Sequence, residues 1–302
     1  MLEMLSIRRV KPAPFDYHAP TNVDEAVALL AEHGDEAKPL AGGQSLVPLL
    51  ALRLARFAHL IDLNGVPNLA TSSRQGHELV IGAMVRQDHV EHDRDVASAV
   101  PLLARATPLI GHFQIRSRGT VGGSLAHADP ASEYPAVALA LDAVFDIKGK
   151  DRARSVAAGD FFAGTWTTCL EPDELLVAIR FPVAGKRCGY AIDEATRRHG
   201  DFAMVGCACA IGLDDKGAIE RASIALFGVG STSVRAAAAE QALQGRSPDS
   251  LRPDELKEVA QLAVRDLDPP TDVHATGRYR RDAGAVLVGR TVTAAAKEAA
   301  NG

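Results

Sequence analysis

Two glycine-containing segments constrain this chain more than any other feature of its sequence. One is RGTVGGSLAHADPASEYP at residues 118–135, and the other is KPLAGGQSLVPLL at residues 38–50. Main-chain N–H groups at glycine are not covered by a Cβ atom, and consecutive N–H groups in such turns form concave anion sites. A helix N-terminus beside the turn adds a favourable dipole. Together the two segments suit a ligand with two linked phosphates.

Each segment taken alone has a simpler explanation. Gly-Gly pairs are common in turns, and a single pair is more often a turn than a ligand site. Neither segment has the lysine of a G-x-x-x-x-G-K-[ST] loop, so nucleotide hydrolysis is not expected. Neither matches G-x-G-x-x-G after a first strand, which argues against a dinucleotide-binding Rossmann domain.

The composition is that of a globular protein with more than one domain. At 302 residues the chain is long for a single core. Thirty-three Lys and Arg residues against 38 Asp and Glu residues give a net charge of −5, which disfavours a nucleic-acid partner. No apolar run approaches the roughly 20 residues of a membrane span, and the N-terminal MLEMLSIRRVKPAPF lacks the pattern of an export signal. We therefore expect a cytoplasmic protein.

The cysteine pattern does not suit a metal centre. There is no Cys-x-x-Cys and no Cys/His spacing typical of zinc or of a [2Fe–2S] cluster. Two of the cysteines lie two residues apart in the apolar stretch FAMVGCACAIGL, where a strand would direct both to one face as buried small hydrophobic side chains. The four cysteines are Cys169, Cys188, Cys207 and Cys209.

The N-terminal part of the chain alternates between helix and strand patterns. Thr21 is predicted to cap the first helix, and Pro101 is predicted to interrupt or start the third. The predicted helices span residues 22–33, 45–54, 94–107 and 134–141, and the predicted strands span residues 37–41, 59–63, 78–83 and 143–149.

The pattern changes between Glu174 and Gly230. LLVAIRFP, CGYAIDEA, FAMVGCACAIGL and AIERASIALFGVG are four strand-like runs without intervening helices, which predicts an antiparallel meander. Strands followed by helices indicate an α+β domain with the helices on one face of its sheet. Three helices are predicted near residues 233–244, 253–267 and 277–299.

The change in composition near Pro182 to Gly189 predicts a domain boundary. A further division of the N-terminal part is predicted near Gly65. The predicted units are residues 1–183, subdivided into about 1–64 and 65–183, and residues 184–302.

Several segments of the chain resemble those of a known protein family. The resemblance rests on KPLAGGQSLVPLLALRLARFAHLIDL, IGAMVRQDHVE, PLLARATPLIGHFQIRSRGTVGGSLAHADPASEYPAVALALDA, DELLVAIRFP and RRHGDFAMV. These segments look like the FAD-binding medium subunit of molybdenum-containing hydroxylases, the carbon monoxide dehydrogenase and xanthine dehydrogenase group. The resemblance implies an α+β fold: a two-subdomain FAD-binding domain, similar to the vanillyl-alcohol-oxidase flavin fold, followed by an α+β C-terminal domain with an antiparallel sheet and helices.

The resemblance also implies which residues contact FAD. The first glycine segment, residues 38–50, would surround the pyrophosphate and nearby ribose, and the second, residues 118–135, would bind the pyrophosphate from the other side. An acidic residue would hydrogen-bond a polar part of FAD, and small or apolar residues would lie against the cofactor. The implied residues are Lys38, Pro39, Leu40, Ala41, Gly42, Gly43, Gln44, Ser45, Gly82, Ala83, Ile110, Thr120, Val121, Gly122, Gly123, Ser124, Asp129, Glu133 and Leu176.

Several of these residues also fit purely structural roles. Ile110 and Leu176 could be ordinary core residues, and Lys38 could be a surface cation. Glu133 could favour the first turn of the following helix. Asp129 could be a turn residue, so it is the weaker site candidate.

No acid or base catalyst is predicted in this chain. His112 and His127 are interpreted as surface or loop residues, and Asp201 as a structural anchor before a strand. Xanthine dehydrogenase relatives place a lysine near the flavin just before the Arg-Arg pair, whereas this chain has Asp193 and Glu194 there. A lysine would stabilise negative charge on the flavin, so this departure bears on redox tuning and on any reduction of NAD.

The resemblance implies an electron-transfer subunit that carries FAD. A large partner would hold molybdopterin, a small partner would hold two [2Fe–2S] clusters, and the complex would be a dimer of heterotrimers. FAD would pass electrons to an external acceptor. Two alternatives remain at this point: a self-sufficient flavin oxidoreductase of the wider fold, such as an enolpyruvyl-sugar reductase, and a flavin-free scaffold subunit.

Overall fold

The structure, a computed structural model, describes residues 11–302. Its first part combines a small parallel sheet with a larger antiparallel one. The strands of this part are β1 (Asp16–His18), β2 (Ala37–Leu40), β3 (His59–Asp62), β4 (Ser72–Gln75), β5 (Glu78–Gly82), β6 (Val144–Lys148), β7 (Ala153–Ala157), β8 (Phe162–Gly164), β9 (Thr167–Thr168) and β10 (Leu175–Pro182). The helices are α1 (Val23–His33), α2 (Leu46–Ala51), α3 (Gln87–His92), α4 (Arg94–Ala99), α5 (Pro101–Ala106), α6 (Phe113–Arg116), α7 (Val121–His127), α8 (Glu133–Ala140) and α9 (Ala158–Phe161).

The second part is one antiparallel sheet with three helices, as predicted from the strand and helix patterns. Its strands are β11 (Cys188–Ala195), β12 (Val205–Leu213), β13 (Ile219–Phe227) and β14 (Val234–Arg235), and its helices are α10 (Ala237–Leu243), α11 (Pro253–Val264) and α12 (Gly277–Asn301). None of the helices between residues 11 and 302 combines the length and the apolar character that crossing a membrane requires.

The parallel sheet has the strand order β1-β3-β2, with α1 and α2 in its crossover connections. The predicted cap of α1 at Thr21 is wrong by one residue. The Asn22 side chain accepts a hydrogen bond from the Glu25 N–H at 2.9 Å, and the Thr21 N–H donates to the Glu25 carboxylate at 2.8 Å. Asparagine and threonine both favour N-cap positions, so the local sequence does not decide between adjacent candidates.

The larger antiparallel sheet has the order β4-β5-β10-β6-β7. Here the predicted four-strand meander is wrong in one respect, because Leu175–Pro182 belongs to this sheet and not to the C-terminal one. Ile179 of β10 pairs with Ile81 on one side and with Phe145 on the other. The apolar pattern of β10 predicts a buried strand, but it carries no information on which edges the strand will join.

The C-terminal sheet, β11-β12-β13-β14, is covered on both faces. Along β12, Cys207 and Cys209 contact the hydrophobic cluster formed with α10–α12. The alternate residues Ala208 and Ala210 belong to the core of the first part, formed with α5 and α8. The expectation of helices on a single face is therefore incomplete, since the N-terminal part covers the other face. A sheet buried on both faces explains the continuous apolar runs of β12 and β13.

The interpretation of Cys207 and Cys209 as buried apolar side chains is confirmed. Both are fully buried free thiols. Burial raises the pKa of the Cys207 thiol to about 12, although a hydrogen bond from the Thr291 hydroxyl at 3.2 Å opposes the shift. A thiol that stays protonated is a poor nucleophile and a poor metal ligand.

We expect replacement of Phe227 by alanine to destabilise the protein strongly. Its ring is fully buried and lies against Gly206, whose α-carbon has no room for a side chain beneath the ring. Phe227 belongs to the core that both parts of the chain share. Loss of a buried phenylalanine costs about 3–5 kcal/mol, measurable by urea unfolding followed by circular dichroism.

The control is Val286→Ala on α12, where the valine is 55% exposed. This change is expected to alter the free energy of unfolding by less than about 0.5 kcal/mol. Equal stability of the two variants would contradict a core that continues across the two parts.

Candidate functional site

The two glycine segments meet in the fold, where Gly42 lies against Arg118, 76 residues further along the sequence. A methyl group on Gly42 would overlap the carbonyl oxygen of Arg118 and lie 2.9 Å from the Gly119 α-carbon. A methyl group on Gly123 would lie 3.3 Å from the Ala41 methyl. The two backbones therefore pack directly against each other, and at Gly42 only glycine permits this approach.

Two side chains that sequence reasoning missed hold the segments together. The Asn64 amide donates to the carbonyl oxygen of Ala41 at 3.1 Å. The Arg86 guanidinium donates to the carbonyl oxygen of Arg118 and, at 2.5 Å, to the Asn64 amide oxygen. A signal existed in the sequence, because Asn64 follows a predicted strand. Parallel strands end at the same edge, so the residues after β3 lie beside the loop that follows β2.

The first glycine segment keeps its main-chain donors open. Among residues 11–302, the N–H groups of Gly42, Gly43, Gln44 and Ser45 have no hydrogen-bond partner. Gly43 has a φ of +74°, a conformation that glycine adopts at little cost. These four consecutive N–H groups ahead of α2 are therefore available as donors to an anionic ligand.

The second glycine segment differs from the sequence-based expectation, because it forms the first turn of α7. Its N–H groups are engaged within the fold. Those of Val121 and Gly122 donate to Val85 and Ala83, both at 2.9 Å. That of Gly123 donates to the Thr120 hydroxyl at 3.0 Å, and that of Ser124 donates to the Thr120 carbonyl oxygen at 3.1 Å.

The small residues of this second segment instead allow close packing of the backbone. A methyl group on Gly122 would overlap Ala83, so α7 lies directly on the chain after β5. The half-buried Ser124 hydroxyl makes no hydrogen bond to another residue between 11 and 302 and is free to donate to a ligand. The two segments look equivalent in the sequence, because glycine content does not show which N–H groups donate hydrogen bonds to neighbouring parts of the fold.

The Ile110–Gly111 segment is fixed by a buried arginine. The Arg116 guanidinium donates to both carbonyl oxygens of this segment at 3.1 Å and pairs with the Glu91 carboxylate at 2.6 and 3.0 Å. Ile110 is half-buried. Leu176, which is predicted to contact FAD, is 3% exposed and lies at a bulge of β10.

The buried Glu133 and the half-buried Glu194 interact at the junction of the two parts. Burial, reinforced by the charge of Glu194, raises the pKa of Glu133 to about 8. Burial and the charge of Asp193 raise the pKa of Glu194 to about 7. One carboxyl oxygen of Glu194 is buried without a hydrogen-bond partner among residues 11–302. Near neutral pH, therefore, Glu133 is mainly protonated and can donate a hydrogen bond as well as accept one.

Asp129 and Lys38 have local roles in the structure. The Asp129 carboxylate accepts hydrogen bonds from the Ala131 N–H at 2.9 Å and from the Trp166 indole at 3.2 Å. These are the contacts of a turn residue. Burial lowers the pKa of the Lys38 ammonium, which lies 5.7 Å from the centre of the Phe57 ring.

His112 lies in the loop before α6, as predicted, and Asp201 lies in the turn before β12, whereas His127 is the half-buried last residue of α7 and not a loop residue. His112 is exposed and contacts Gly200, which brings the loop after Ile110 against the Arg-Arg-His-Gly-Asp turn. Asp201 pairs with Arg198 at 3.3 Å within that turn. Burial lowers the pKa of the half-buried His127 imidazole.

The structure gathers most of the predicted site residues around the contact between the two segments. Ile110, Glu133 and Leu176, which the resemblance also places at the cofactor, lie elsewhere in the first part. Ile110 lies between α5 and α6, Glu133 begins α8, and Leu176 is in β10. Lys38, Pro39 and Leu40 are on β2, Ala41, Gly42, Gly43, Gln44 and Ser45 follow it, Gly82 ends β5 and Ala83 follows it, Thr120 caps α7, Val121, Gly122, Gly123 and Ser124 are in α7, and Asp129 lies between α7 and α8.

Comparison with known proteins accounts for both parts of the chain. The model of the FAD binding domain in molybdopterin dehydrogenase matches residues 13–184, and the model of the CO dehydrogenase flavoprotein C-terminal domain matches residues 190–295. The chain belongs to this family of molybdenum-hydroxylase flavoproteins. The resemblance seen in the sequence, and the two-part α+β fold that it implies, are confirmed.

Individual relatives match over nearly the whole chain. Caffeine dehydrogenase subunit beta from Pseudomonas sp. strain CBB1 is 41% identical, covering 95% of this chain and 96% of that protein. Subunit alpha of the 6-hydroxypseudooxynicotine dehydrogenase complex from Paenarthrobacter nicotinovorans is 39% identical with the same coverage. The structure of carbon monoxide dehydrogenase from Hydrogenophaga pseudoflava lacking the Mo-pyranopterin moiety matches with a TM-score of 0.90, at 39% identity over 94% of this chain and 98% of that one.

The donors of the flavoprotein's site fit the cofactor of this family. FAD has a diphosphate, which suits the four open N–H groups of the first segment and the Ser124 hydroxyl. Its ring system is apolar on its faces and polar at its edge, which suits Ile110 and Leu176 together with the protonated Glu133. The chemistry of these groups is suited to binding the cofactor.

We expect Gly42→Ala to weaken FAD binding. The added methyl would overlap the Arg118 carbonyl and force the two segments apart, which moves the open N–H groups. Overpacking of this kind costs about 1–3 kcal/mol, or roughly tenfold to hundredfold in the dissociation constant for FAD. The ratio of flavin absorbance to protein absorbance after purification, and titration of the flavin-free chain with FAD, would measure it.

The matched control is Gly159→Ala in α9, where the added methyl meets no atom within 4 Å. Its flavin content should equal that of the wild type. A Gly42→Ala protein with full flavin content and unchanged FAD affinity would rule out the contact between the segments as the basis of binding.

We also expect Glu194→Gln to change how stability depends on pH. The raised pKa means that the stability contributed by the neutral carboxyl is present below about pH 4.5 and declines as the pH rises through about 7. Because glutamine stays neutral, the variant should match the wild type near pH 5 and exceed it at pH 8. With partial exposure to solvent, we expect a gain of about 1 kcal/mol in urea unfolding.

The exposed Glu258 of α11 provides the control, and Glu258→Gln should change the free energy of unfolding by less than about 0.5 kcal/mol. A Glu194→Gln protein that is less stable than the wild type at pH 8 would mean that the ionised Glu194 carboxylate stabilises the fold, which contradicts a raised pKa.

Proposed function

We propose that this flavoprotein is the FAD-carrying electron-transfer subunit of a heterotrimeric molybdenum hydroxylase. When bound, FAD would accept electrons from [2Fe–2S] clusters in a small partner subunit and pass them to an external acceptor. The observation that carries the proposal is the set of open N–H groups from Gly42 to Ser45, held against α7 in a chain of this family.

The residues of the chain act on the cofactor by binding and orienting it. The N–H groups from Gly42 to Ser45 and the Ser124 hydroxyl would hold the diphosphate. Asn64 and Arg86 would keep both segments in place. Together these groups would fix one end of FAD without forming a bond to its reacting ring.

At the other end, Ile110 and Leu176 would pack against the rings and exclude water. Arg116 holds the Ile110 backbone, so this wall is rigid. Glu133 would hold a proton at its carboxyl oxygen and donate it as a hydrogen bond to the polar edge of the ring system. We propose all nineteen of the implied residues as the FAD site, with Asp129 and Lys38 acting mainly through the backbone.

The partners follow from the same proposal. A large subunit would carry molybdopterin, a small subunit would carry two [2Fe–2S] clusters, and two heterotrimers would associate. The substrate would be selected by the large subunit. Relatives named for caffeine, for 6-hydroxypseudooxynicotine and for carbon monoxide resemble this chain to nearly the same degree, at 41%, 39% and 39% identity.

A cytoplasmic location and a division of the chain at residue 183 complete the proposal. All four cysteines are free thiols, which is typical of a reducing compartment. The division near residue 64 would separate the parallel sheet from the antiparallel sheet of the FAD-binding part. The scaffold alternative is disfavoured because a chain without flavin has no need for open N–H groups at Gly42–Ser45.

Electron transfer would be tested with separately purified subunits under anaerobic conditions. The isolated chain should be yellow, with about one FAD per chain. Mixing it with the dithionite-reduced small subunit, freed of excess dithionite, should bleach the flavin absorbance, whereas the oxidised small subunit should not. A colourless chain that refuses added FAD would sink the proposal, and a yellow chain that is never reduced by the small subunit would contradict its electron-transfer part.

A further inference from the structure

Three histidines from separate elements converge on the parallel sheet, away from the FAD site. His18 ends β1, His33 ends α1 and His59 begins β3. The flavin proposal uses none of them. Because β1 and β3 pair in parallel, with Asp16 opposite His59 and His18 opposite Ile61, the sheet itself fixes the separation of two of the rings.

The ring nitrogens are close enough to share one ion. His18 Nε2 lies 3.1 Å from His59 Nδ1, and one ligand nitrogen from each of the three rings lies within 4.8 Å of the others. Imidazole nitrogens bind zinc at about 2.1 Å, which places two tetrahedral ligands about 3.4 Å apart. The His18–His59 pair, at 3.1 Å, is close to this separation, and the His33 nitrogen needs a shift of at most about 1.4 Å.

His33 supplies the movable ligand. Its ring stacks on that of His59, with centroids 3.7 Å apart and planes 12° apart. Stacked rings direct their lone pairs in parallel, so an ion requires one of them to rotate until the lone pairs converge. His33 is half-buried and makes no side-chain hydrogen bond to another residue between 11 and 302, so its ring can turn without breaking one.

A simple hydrogen-bonded contact explains only part of this arrangement. One hydrogen bond joins His18 to His59, and it leaves the His33 nitrogens without a side-chain partner in the described part of the chain, residues 11–302. Three adjacent imidazoles also repel one another when protonated. A shared cation would satisfy all three rings, and the Asp16 carboxylate, 3.9 Å from His59 Nδ1, would add a compensating negative charge or a fourth ligand.

We propose that His18, His33 and His59 form a binding site for a divalent first-row transition-metal ion. Three imidazole ligands suit zinc, nickel, copper or cobalt, and they do not suit magnesium or calcium, which prefer oxygen. The ion joins β1, α1 and β3, and β3 pairs with β2, the strand that leads into the first glycine loop. Its role is to stabilise this sheet, and the site does not depend on the proposed function.

The test uses the full-length flavin-loaded chain without a histidine tag, dialysed against EDTA and then freed of it. Zn²⁺ and Ni²⁺ are titrated by calorimetry, and Co²⁺ is titrated by its visible absorption at wavelengths longer than those of the flavin. One ion should bind per chain and raise the melting temperature. The variants His33→Gln and His59→Gln should each weaken binding at least about tenfold and lose the rise in melting temperature.

The exposed His77, in the turn between β4 and β5, provides the matched control. His77→Gln should bind metal like the wild type. Flavin content and circular dichroism of each variant separate a folding defect from a lost ligand. A second measurement needs no variant: in the wild type, Co²⁺ should broaden the imidazole proton resonances of three histidines and spare the others.

Three results would overturn the proposal. They are the absence of saturable binding, binding that His33→Gln and His59→Gln leave unchanged, and resonance broadening confined to histidines outside the cluster, such as His92. Because flavin content is measured in the same samples, loss of the metal site is distinguished from loss of the FAD site.

Discussion

The backbone contact between Gly42 and Arg118–Gly119 is the constraint on which the rest of the FAD site depends. It joins the small parallel sheet, which supplies the loop with open N–H groups, to the helix-rich region that supplies α7. A side chain at Gly42 would separate them. The surrounding polar residues maintain this contact, because Asn64 and Arg86 use their donors on the carbonyl oxygens of the two loops. The anion site therefore results from a junction between two units.

The same principle applies at the other junction. The C-terminal sheet buries cysteine and larger aliphatic side chains against its own helices, and it buries alanines and Phe227 against the first part. Small residues on that face allow α8 to approach the sheet closely. The acids Glu133 and Glu194 lie where these two parts meet, and their removal from water raises the pKa of both. At this junction the structure thus holds Glu133 as a carboxyl group that is mainly neutral near pH 7.

Much of the fold was accessible from the sequence, and the errors in strand pairing, in sheet covering and in the open N–H groups share one cause. The helix α1, the strands β2, β3, β5 and β6 and the helices α11 and α12 were predicted close to their observed positions. The sequence did not predict which strands pair with β10, nor that the first part of the chain packs on the second face of the C-terminal sheet. Periodicity reports whether a residue is buried and carries no information about which element buries it. For the same reason Val121–Ser124 was expected to offer open N–H groups that Val85, Ala83 and Thr120 in fact occupy.

By itself, the sequence predicted that two small-residue segments would suit a diphosphate, and it identified the family as that of molybdenum-hydroxylase flavoproteins. These conclusions depend on residue type and local spacing. Only the tertiary structure decided which of the two segments keeps its N–H groups free, which side chains hold the segments together, and that His18, His33 and His59 meet. Hydrogen-bond partners and converging ligands are properties of distant residues brought together by packing, and a linear pattern does not encode their separation.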